Sequence, residues 1–331
     1  MEWIAAALAA DVMGKPTWTW LVFVIIVLTL LVLDLGVLQK RIAAIGVRQS
    51  LLLSAFYIGA GLLFGAWIWF DQGAQSGMEY LTGFAIEKSL SLDNVFVISL
   101  IFAHFAVPAA YQHRVLFWGI LGVIVMRAVM IGLGAAMVQN ASWVLYLFGA
   151  FLVFTGVKML MPNDHVHNVA DSGMLKFIRR HMRVTEEYHG NRFFVRLPDG
   201  ATGRVVRFAT PLFLALMMVE AADLVFAVDS VPAIFAITSD PYIVYTSNIF
   251  AILGLRALYF ALAAMVHRFY ALKYALALVL VFIGAKIFWN QLVGKLDPSI
   301  SLGVTLALLA GGVAYSLLRP RPAPHSTATV G

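Results

Sequence analysis

Nine runs of mostly apolar residues alternate with shorter polar segments along the chain. About 20 consecutive apolar residues are enough for one α-helix to cross the hydrocarbon core of a bilayer. The pattern therefore predicts an all-α polytopic membrane protein with about nine transmembrane helices. The predicted spans cover residues 18–38, 50–70, 79–106, 115–138, 142–161, 209–238, 244–266, 273–293 and 299–318.

Composition narrows the function classes. Hydrophobic residues make up 62% of the chain and charged residues 12%, whereas a soluble domain carries about 25% charged residues. The net charge of +6 reflects the loops between spans, so no nucleic-acid partner is expected. The absence of cysteine excludes disulfides and thiolate metal ligands. No GxxxxGK[ST] phosphate loop occurs, so energy for transport would come from an ion gradient or a partner protein.

The basic residues indicate how the chain is oriented. Of the 23 Lys and Arg residues, five lie within predicted spans, sixteen lie in alternate connections, and Lys15 and Lys295 lie in the others. Cytoplasmic connections of membrane proteins carry an excess of Lys and Arg. We therefore predict a multi-pass protein of the inner (plasma) membrane, with its N-terminus outside and its C-terminus in the cytoplasm.

The order acid, acid, arginine, lysine occurs twice. The arginine and lysine lie 31 residues apart in the first copy and 30 in the second. Because each copy contains three spans, an odd number, the second enters the membrane with the opposite orientation, as in many secondary transporters. The residues are Glu87, Asp93, Arg127 and Lys158 in the third to fifth spans, and Asp223, Asp229, Arg256 and Lys286 in the sixth to eighth.

This inverted repeat divides the chain into five predicted parts. Residues 1–78 hold the N-terminal flanking helices, and residues 79–161 hold the first three-helix repeat. Residues 162–208 form a cytoplasmic loop, and residues 209–293 form the second, inverted repeat. Residues 294–331 hold the last helix and a tail whose Pro, Ser and Thr content is typical of disorder.

Acidic residues inside the spans are the candidate functional groups. Burying an ionised group in hydrocarbon costs several kcal/mol, and such groups usually mark an ion or proton path. Together with nearby amides and a hydroxyl they form an all-oxygen set, which suits Mg²⁺, Ca²⁺ or Mn²⁺ better than Cu⁺ or Zn²⁺. The predicted metal or proton path consists of Asp34, Glu87, Asp93, Asn94, Glu220, Asp223, Asp229, Ser230 and Asn248.

Five basic residues within the spans are predicted to balance these acids: Lys88, Arg127, Arg256, Lys158 and Lys286. The arginines are expected to neutralise carboxylates, and Lys158 can extend its ammonium to the interface. The charges could also form buried ion pairs that only hold the repeats together. We favour transport, because membrane proteins rarely use so many ionisable groups for architecture alone.

A break is predicted in the sixth span. On a straight helix, at about 100° per residue, Asp229 lies on the far side from Glu220. Pro232 removes the hydrogen bond to the carbonyl of Val228 and favours a kink or break beside Asp229. Carbonyls freed by such a break help to coordinate cations in transporters.

Two long motifs resemble the signature segments of the TerC family of membrane proteins. They run from Phe84 to Phe96 and from Val219 to Ala233, and the segments Ser247–Tyr259 and Leu33–Gly36 are also similar. The resemblance extends over about residues 18–318. It implies Mn²⁺ export, in a family named for tellurium resistance and grouped with LysE-type exporters. An acid-lined path would repel the tellurite anion, so resistance would arise indirectly, through metal balance or membrane partners.

The favoured function is thus secondary export of a hard divalent cation, coupled to proton movement, with Mn²⁺ as the favoured substrate. No permanently bound cofactor is expected; the cation is the substrate, and lipid surrounds the chain. A second hypothesis is that the protein is a scaffold, without transport, in a tellurium or metal stress-resistance complex. Other membrane or stress-response proteins would then dock on the basic loop 162–208. A third hypothesis is that the protein is an intramembrane enzyme that uses paired carboxylates as acid and base. It leaves the repeated Arg and Lys unexplained, so no enzymatic activity is expected.

Overall fold

The computed structural model describes residues 3, 8–38, 47–141, 143–161, 173–198, 204–262 and 271–319. Helices dominate this part of the chain. The helices are α1 (Thr17–Leu38), α2 (Val47–Gln72), α3 (Ala74–His104), α4 (Ala109–Asn140), α5 (Val144–Leu160), α6 (Gly173–His181), α7 (Pro211–Phe235), α8 (Pro241–Ile252), α9 (Leu255–Leu262), α10 (Leu272–Leu292) and α11 (Pro298–Leu318). Two antiparallel hairpins pair β1 (Asp11–Val12) with β2 (Lys15–Pro16) and β3 (Phe194–Pro198) with β4 (Val205–Ala209).

Seven helical segments of the described chain are long and apolar enough to cross a membrane: α1, α2, α4, α7, α8 with α9, α10 and α11. The chain is therefore a multi-pass membrane protein. Helix α3 has 31 residues, but Glu79, Glu87, Lys88 and Asp93 interrupt its apolar character. Helix α5 has 17 residues, the short end of the range for a span. Nine spans thus remain a prediction.

The span formed by α8 and α9 lies at the centre of the bundle. Of its residues, 89% are buried inside the protein, whereas only 22% of the residues in the spans of α1 and α11 are buried. Helix α8 packs against α3 and α4, and α4 packs against α7. Helices α3, α4, α7 and α8 therefore enclose the interior, while α1 and α11 lie at the periphery and bury few of their residues.

The central span is interrupted rather than continuous. Helix α8 ends at Ile252 and α9 begins at Leu255. Gly254 between them has a φ of +79°, and the ring of Tyr57 lies where a Cβ would stand. Glycine is required here, because a side chain would be strained by the backbone and would also collide with the ring.

Of the kink or break predicted beside Asp229, the break is wrong. Helix α7 continues through Pro232 to Phe235. Proline removes one backbone hydrogen bond, but Val231, Ile234 and Phe235 are buried in a cluster that also contains Ile131 of α4. Tertiary packing of this last turn holds it in helical geometry.

Helices α5 and α10 pack backbone to backbone through two glycines. A Cβ on Gly156 would lie 2.7 Å from the carbonyl oxygen of Ala277, and a Cβ on Gly284 would lie 2.7 Å from that of Gly149. The next contacts also correspond: Gly156 faces Val281, and Gly284 faces Val153. In each case the contacted residues lie seven and three positions before the other glycine. The contact is therefore reciprocal along the two helices.

The described part of the loop 162–208 is docked on the membrane helices. Leu175 and Ile178 of α6 are buried in the same hydrophobic cluster as Phe102 of α3. The hydroxyl of Tyr188 donates to the carbonyl of Phe105 at 2.6 Å, and burial raises the pKa of Tyr188. This segment is consequently part of the folded core at the end of the bundle where α3 stops.

The N-terminal hairpin lies at the opposite end of the bundle. The Lys15 ammonium donates to Oε1 of Gln72 at 2.7 Å and forms an ion pair with Asp240 at 3.1 Å. The indole of Trp20 donates to the carbonyl of Val12 at 2.8 Å. The hairpin thereby joins the end of α2 to the start of α8.

Candidate functional site

The guanidinium of Arg127 connects four helices in the interior of the bundle. Arg127 lies on α4 and is 1% exposed. It forms ion pairs with Glu87 on α3 and, at 3.4 Å, with Asp223 on α7. It also lies within hydrogen-bond reach of the Ser230 hydroxyl on α7 and the Asn248 amide oxygen on α8, at 3.2 Å each. We call these five residues and Asn94 the Arg127 cluster.

Two amides bind the carboxylates of this cluster. Nδ2 of Asn248 donates to Oε2 of Glu87 at 3.0 Å, and Nδ2 of Asn94 donates to Oδ1 of Asp223 at 3.1 Å. With both acids ionised, two negative charges face one guanidinium. The cluster then carries one negative charge in excess, which attracts a cation.

Two oxygen atoms of the cluster are buried without a hydrogen-bond partner: Oδ2 of Asp223 and Oδ1 of Asn94. Both residues line one cavity, together with apolar residues of α3, α4, α7 and α9 such as Val123 and Leu255. The volume of this cavity that is open to the centre of a water molecule is about 20 Å³. This is enough space for one water molecule. Because a buried acceptor without a partner is costly, the geometry favours a donor or a cation here.

Glu220 lies one turn before Asp223 on α7. Its carboxylate occupies the space beside Gly122 on α4 where a side chain would begin. One of its oxygens, Oε2, is also buried without a partner. The sequence places Glu220 among the acids, but nothing in it indicates Gly122, because that contact joins residues far apart in the chain.

A second buried ion pair lies between α1 and α9. Nη2 of Arg256 donates to Oδ1 of Asp34 at 2.9 Å and to its backbone carbonyl at 2.8 Å. The hydroxyl of Tyr57 on α2 donates to Oδ1 of Asp34 at 3.0 Å. These partners differ from those of the Arg127 cluster, so the structure does not bring Asp34 together with the other predicted site acids.

Tyr57→Phe tests the stabilising role of this pair. We expect the substitution to lower the free energy of unfolding by about 1.5–3 kcal/mol, because a charged, buried acceptor loses a donor. Thermal unfolding of the purified protein in detergent measures the effect. Tyr146→Phe, on a side chain that is 41% exposed, is the matched control and should leave the melting temperature unchanged. Equal melting temperatures for both variants would contradict the assigned hydrogen bond.

Asp229 faces α5 rather than the Arg127 cluster. It accepts a hydrogen bond from the Thr155 hydroxyl at 3.3 Å and interacts electrostatically with Lys158, whose side chain is exposed. This position agrees with the sequence spacing, which places Asp229 on the far side of a straight helix from Glu220. The side chain of Asp93 lies outside the described part of the structure.

The remaining two lysines bind neutral oxygens. Nζ of Lys88 donates to the carbonyls of Ala251 and Leu253, at 3.0 and 3.4 Å. Nζ of Lys286 on α10 lies 3.1 Å from the hydroxyl of Ser301 on α11. Sequence reasoning missed both partner sets, as well as Tyr57 and Thr155, because hydroxyls and carbonyls give no signal of their own in an apolar span.

Within the described residues, no three His, Asp or Glu side chains come together in a way that could hold a metal ion. This applies equally to His181 and His189 of the loop; His165 and His167 lie outside the described residues. The cluster therefore offers carboxylate and amide oxygens at one cavity rather than a closed metal site.

The model of the Integral membrane protein TerC family matches residues 72–323, which contain every residue of the Arg127 cluster. The chain belongs to the TerC family. A protein of Rickettsia bellii called "Uncharacterized membrane protein" is 50% identical over 301 residues, covering 91% of this chain and 97% of the relative.

Two further relatives extend the family across bacteria. The Myxococcus xanthus "Uncharacterized membrane protein STKORF319" is 44% identical, over 95% of this chain and 96% of its own. The Escherichia coli K12 protein named "Putative membrane-bound redox modulator Alx" is 44% identical, over 90% of this chain and 94% of its own. No solved structure matches the chain.

Proposed function

We propose that the protein is a secondary transporter that exports a hard divalent cation, with Mn²⁺ as the favoured substrate. The observation that carries the proposal is a pair of buried oxygens without hydrogen-bond partners, on Asp223 and Asn94, two residues that line the same cavity. The excess negative charge of the Arg127 cluster attracts a cation into that cavity. Carboxylate and amide oxygens select hard ions over Cu⁺ or Zn²⁺.

A small number of strong ligands suits transport. Conduction requires binding that is favourable enough for the ion to enter and weak enough for it to leave. Two oxygens at a cavity, completed by water, meet this requirement better than a closed cage would. We assign Asp93 to the same path, because it is an acidic residue of α3, a helix that lines the cavity. We assign proton carriage to Glu220, because one of its oxygens is buried and unpartnered.

We also propose that the two three-helix units are inverted repeats. The reciprocal contacts of Gly156 and Gly284 support this arrangement, since a two-fold axis between α5 and α10 relates one set of contacts to the other. Arg127 and Arg256, the equivalent arginines, are both buried and both paired with acids. Inverted repeats that rock against each other around a fixed site provide alternating access.

The name of the E. coli relative, which refers to redox modulation, fits this proposal only indirectly. This chain has no cysteine, so its own side chains offer no thiol for disulfide exchange. A redox effect would arise through the metal ions that the transporter moves. The proposal accordingly assigns no enzymatic reaction to the protein.

Uptake into sealed proteoliposomes tests the function. Vesicles loaded with a Mn²⁺-sensitive dye are compared for the intact protein, Asp93→Asn and Asp223→Asn, with and without a pH gradient. We expect saturable Mn²⁺ flux that both variants lose, since each substitution removes a negative charge from the path. Lys295→Ala, on an exposed side chain outside the proposed path, is the control that should retain flux. No flux of any divalent cation from folded protein would contradict transport and favour the scaffold.

A further inference from the structure

The interruption between α8 and α9 leaves backbone carbonyls in the middle of the bundle. The last carbonyls of a helix have no partner within it. Leu253 is extended, with a ψ of 134°, and Gly254 has a positive φ, so the chain turns away before α9 begins. The carbonyls of Ala251 and Leu253 therefore need a donor or a cation from elsewhere in the protein.

Lys88 supplies a full positive charge at this place. Its ammonium lies 3.0 Å from the carbonyl oxygen of Ala251 and 3.4 Å from that of Leu253. Lys88 comes from α3, about 160 residues earlier in the chain. Its neighbour Glu87 is already engaged by Arg127 and Asn248. The hydrogen-bond acceptors of the ammonium are thus two backbone oxygens at a helix end.

This arrangement has the chemistry of a monovalent-cation site. The C-terminal end of a helix carries a partial negative charge, and interrupted helices in membrane transporters coordinate Na⁺ or protons through unwound carbonyls and half-helix ends. An ammonium group and an alkali cation carry the same charge and both bind carbonyl oxygens. The difference is that the ammonium is tethered and cannot leave with a transported substrate.

We propose that the break between α8 and α9 is a monovalent-cation site and that the Lys88 ammonium is its resident cation. The site is distinct from the cavity beside Asp223 and takes a different class of ion. It holds the interrupted span together without free Na⁺ or K⁺. The inference does not depend on Mn²⁺ export, because it concerns what stabilises the break.

Thermal unfolding in three salts tests the proposal. The intact protein, Lys88→Ala and Lys88→Met are purified and melted in choline, sodium and potassium chloride at equal ionic strength. We expect the melting temperature of the intact protein to be the same in all three. Both variants should melt several degrees lower in choline chloride, and NaCl or KCl should restore the loss in a saturable manner, because the free ion then occupies the carbonyls.

Lys286→Ala is the matched control. This lysine is buried, whereas Lys88 is half-buried, and its ammonium binds the Ser301 hydroxyl rather than freed carbonyls. Its loss should therefore not be restored by Na⁺ or K⁺. Equal melting temperatures of the Lys88 variants in all three salts would overturn the proposal, as would an identical salt response of Lys286→Ala. Failure of Lys88→Met to fold even in concentrated NaCl and KCl would also overturn it, since a free cation then does not replace the ammonium.

Discussion

Arg127→Ala is expected to lower the free energy of unfolding by about 3–5 kcal/mol, the usual cost of removing one partner from a buried ion pair. The loss is large because Glu87 and Asp223 would face each other without a compensating charge, both of them at most 5% exposed. Ser230 and Asn248 would lose the same donor. The melting temperature and the yield of folded protein in detergent measure the effect.

A charge-restoring double variant separates electrostatics from lost packing. Adding Glu87→Gln to Arg127→Ala removes one of the two uncompensated negative charges, so the double variant should be more stable than the single one. Lys158→Ala removes an exposed basic residue of the same predicted set and should change stability little. If the double variant were less stable than Arg127→Ala alone, the stabilising role assigned to the ion pairs would be wrong.

Gly156→Ala and Gly284→Ala are expected to destabilise the protein by similar amounts, about 1–3 kcal/mol each, as for other over-packed interiors. Each new methyl group would lie 2.7 Å from a backbone carbonyl oxygen of the facing helix. Backbone cannot move aside as a flexible side chain can, so α5 and α10 would have to separate. Thermal unfolding of the two variants, side by side, provides the measurement.

The control substitutions for these glycines are expected not to lower the stability of the protein. No atom lies within 4 Å of a Cβ built on Gly303 or Gly311 of α11. Alanine at either position should therefore leave stability unchanged or raise it by up to about 1 kcal/mol, because glycine weakens a helix interior. Equal effects at all four positions would contradict close packing of α5 on α10, and unequal effects at Gly156 and Gly284 would contradict its reciprocity.

The positions of the helices along the chain could be predicted from the lengths of the apolar runs. The interruptions within the helices could not. Each predicted span overlaps an observed helix, since one apolar run needs only itself to indicate a helix. The break at Gly254 depends on the Tyr57 ring and the Lys88 ammonium, which come from α2 and α3. Pro232 is the stronger local signal for a break, yet packing of its helical turn outweighs it.

The candidate site, like the fold, was predictable from the sequence only in part. The residue types that gather around Arg127 were predictable, because ionisable groups in apolar spans are costly and so are grouped. Helical spacing also separated Asp229 from Glu220. The pairing of Arg256 with Asp34 was not predictable, because these residues are 222 positions apart and both arginines occupy equivalent places in the sequence pattern. Which acid meets which arginine depends on helix packing.

The position of α8 bears on how the chain is assembled during synthesis. Its span is the least apolar of the seven and the most enclosed, so contact with lipid alone would hold it weakly. The two helices that pack most extensively against it, α3 and α4, precede it in the chain and are made first. We expect α8 to remain in the bilayer only once this earlier pair is ready to receive it, which makes insertion of the second half of the protein conditional on folding of the first.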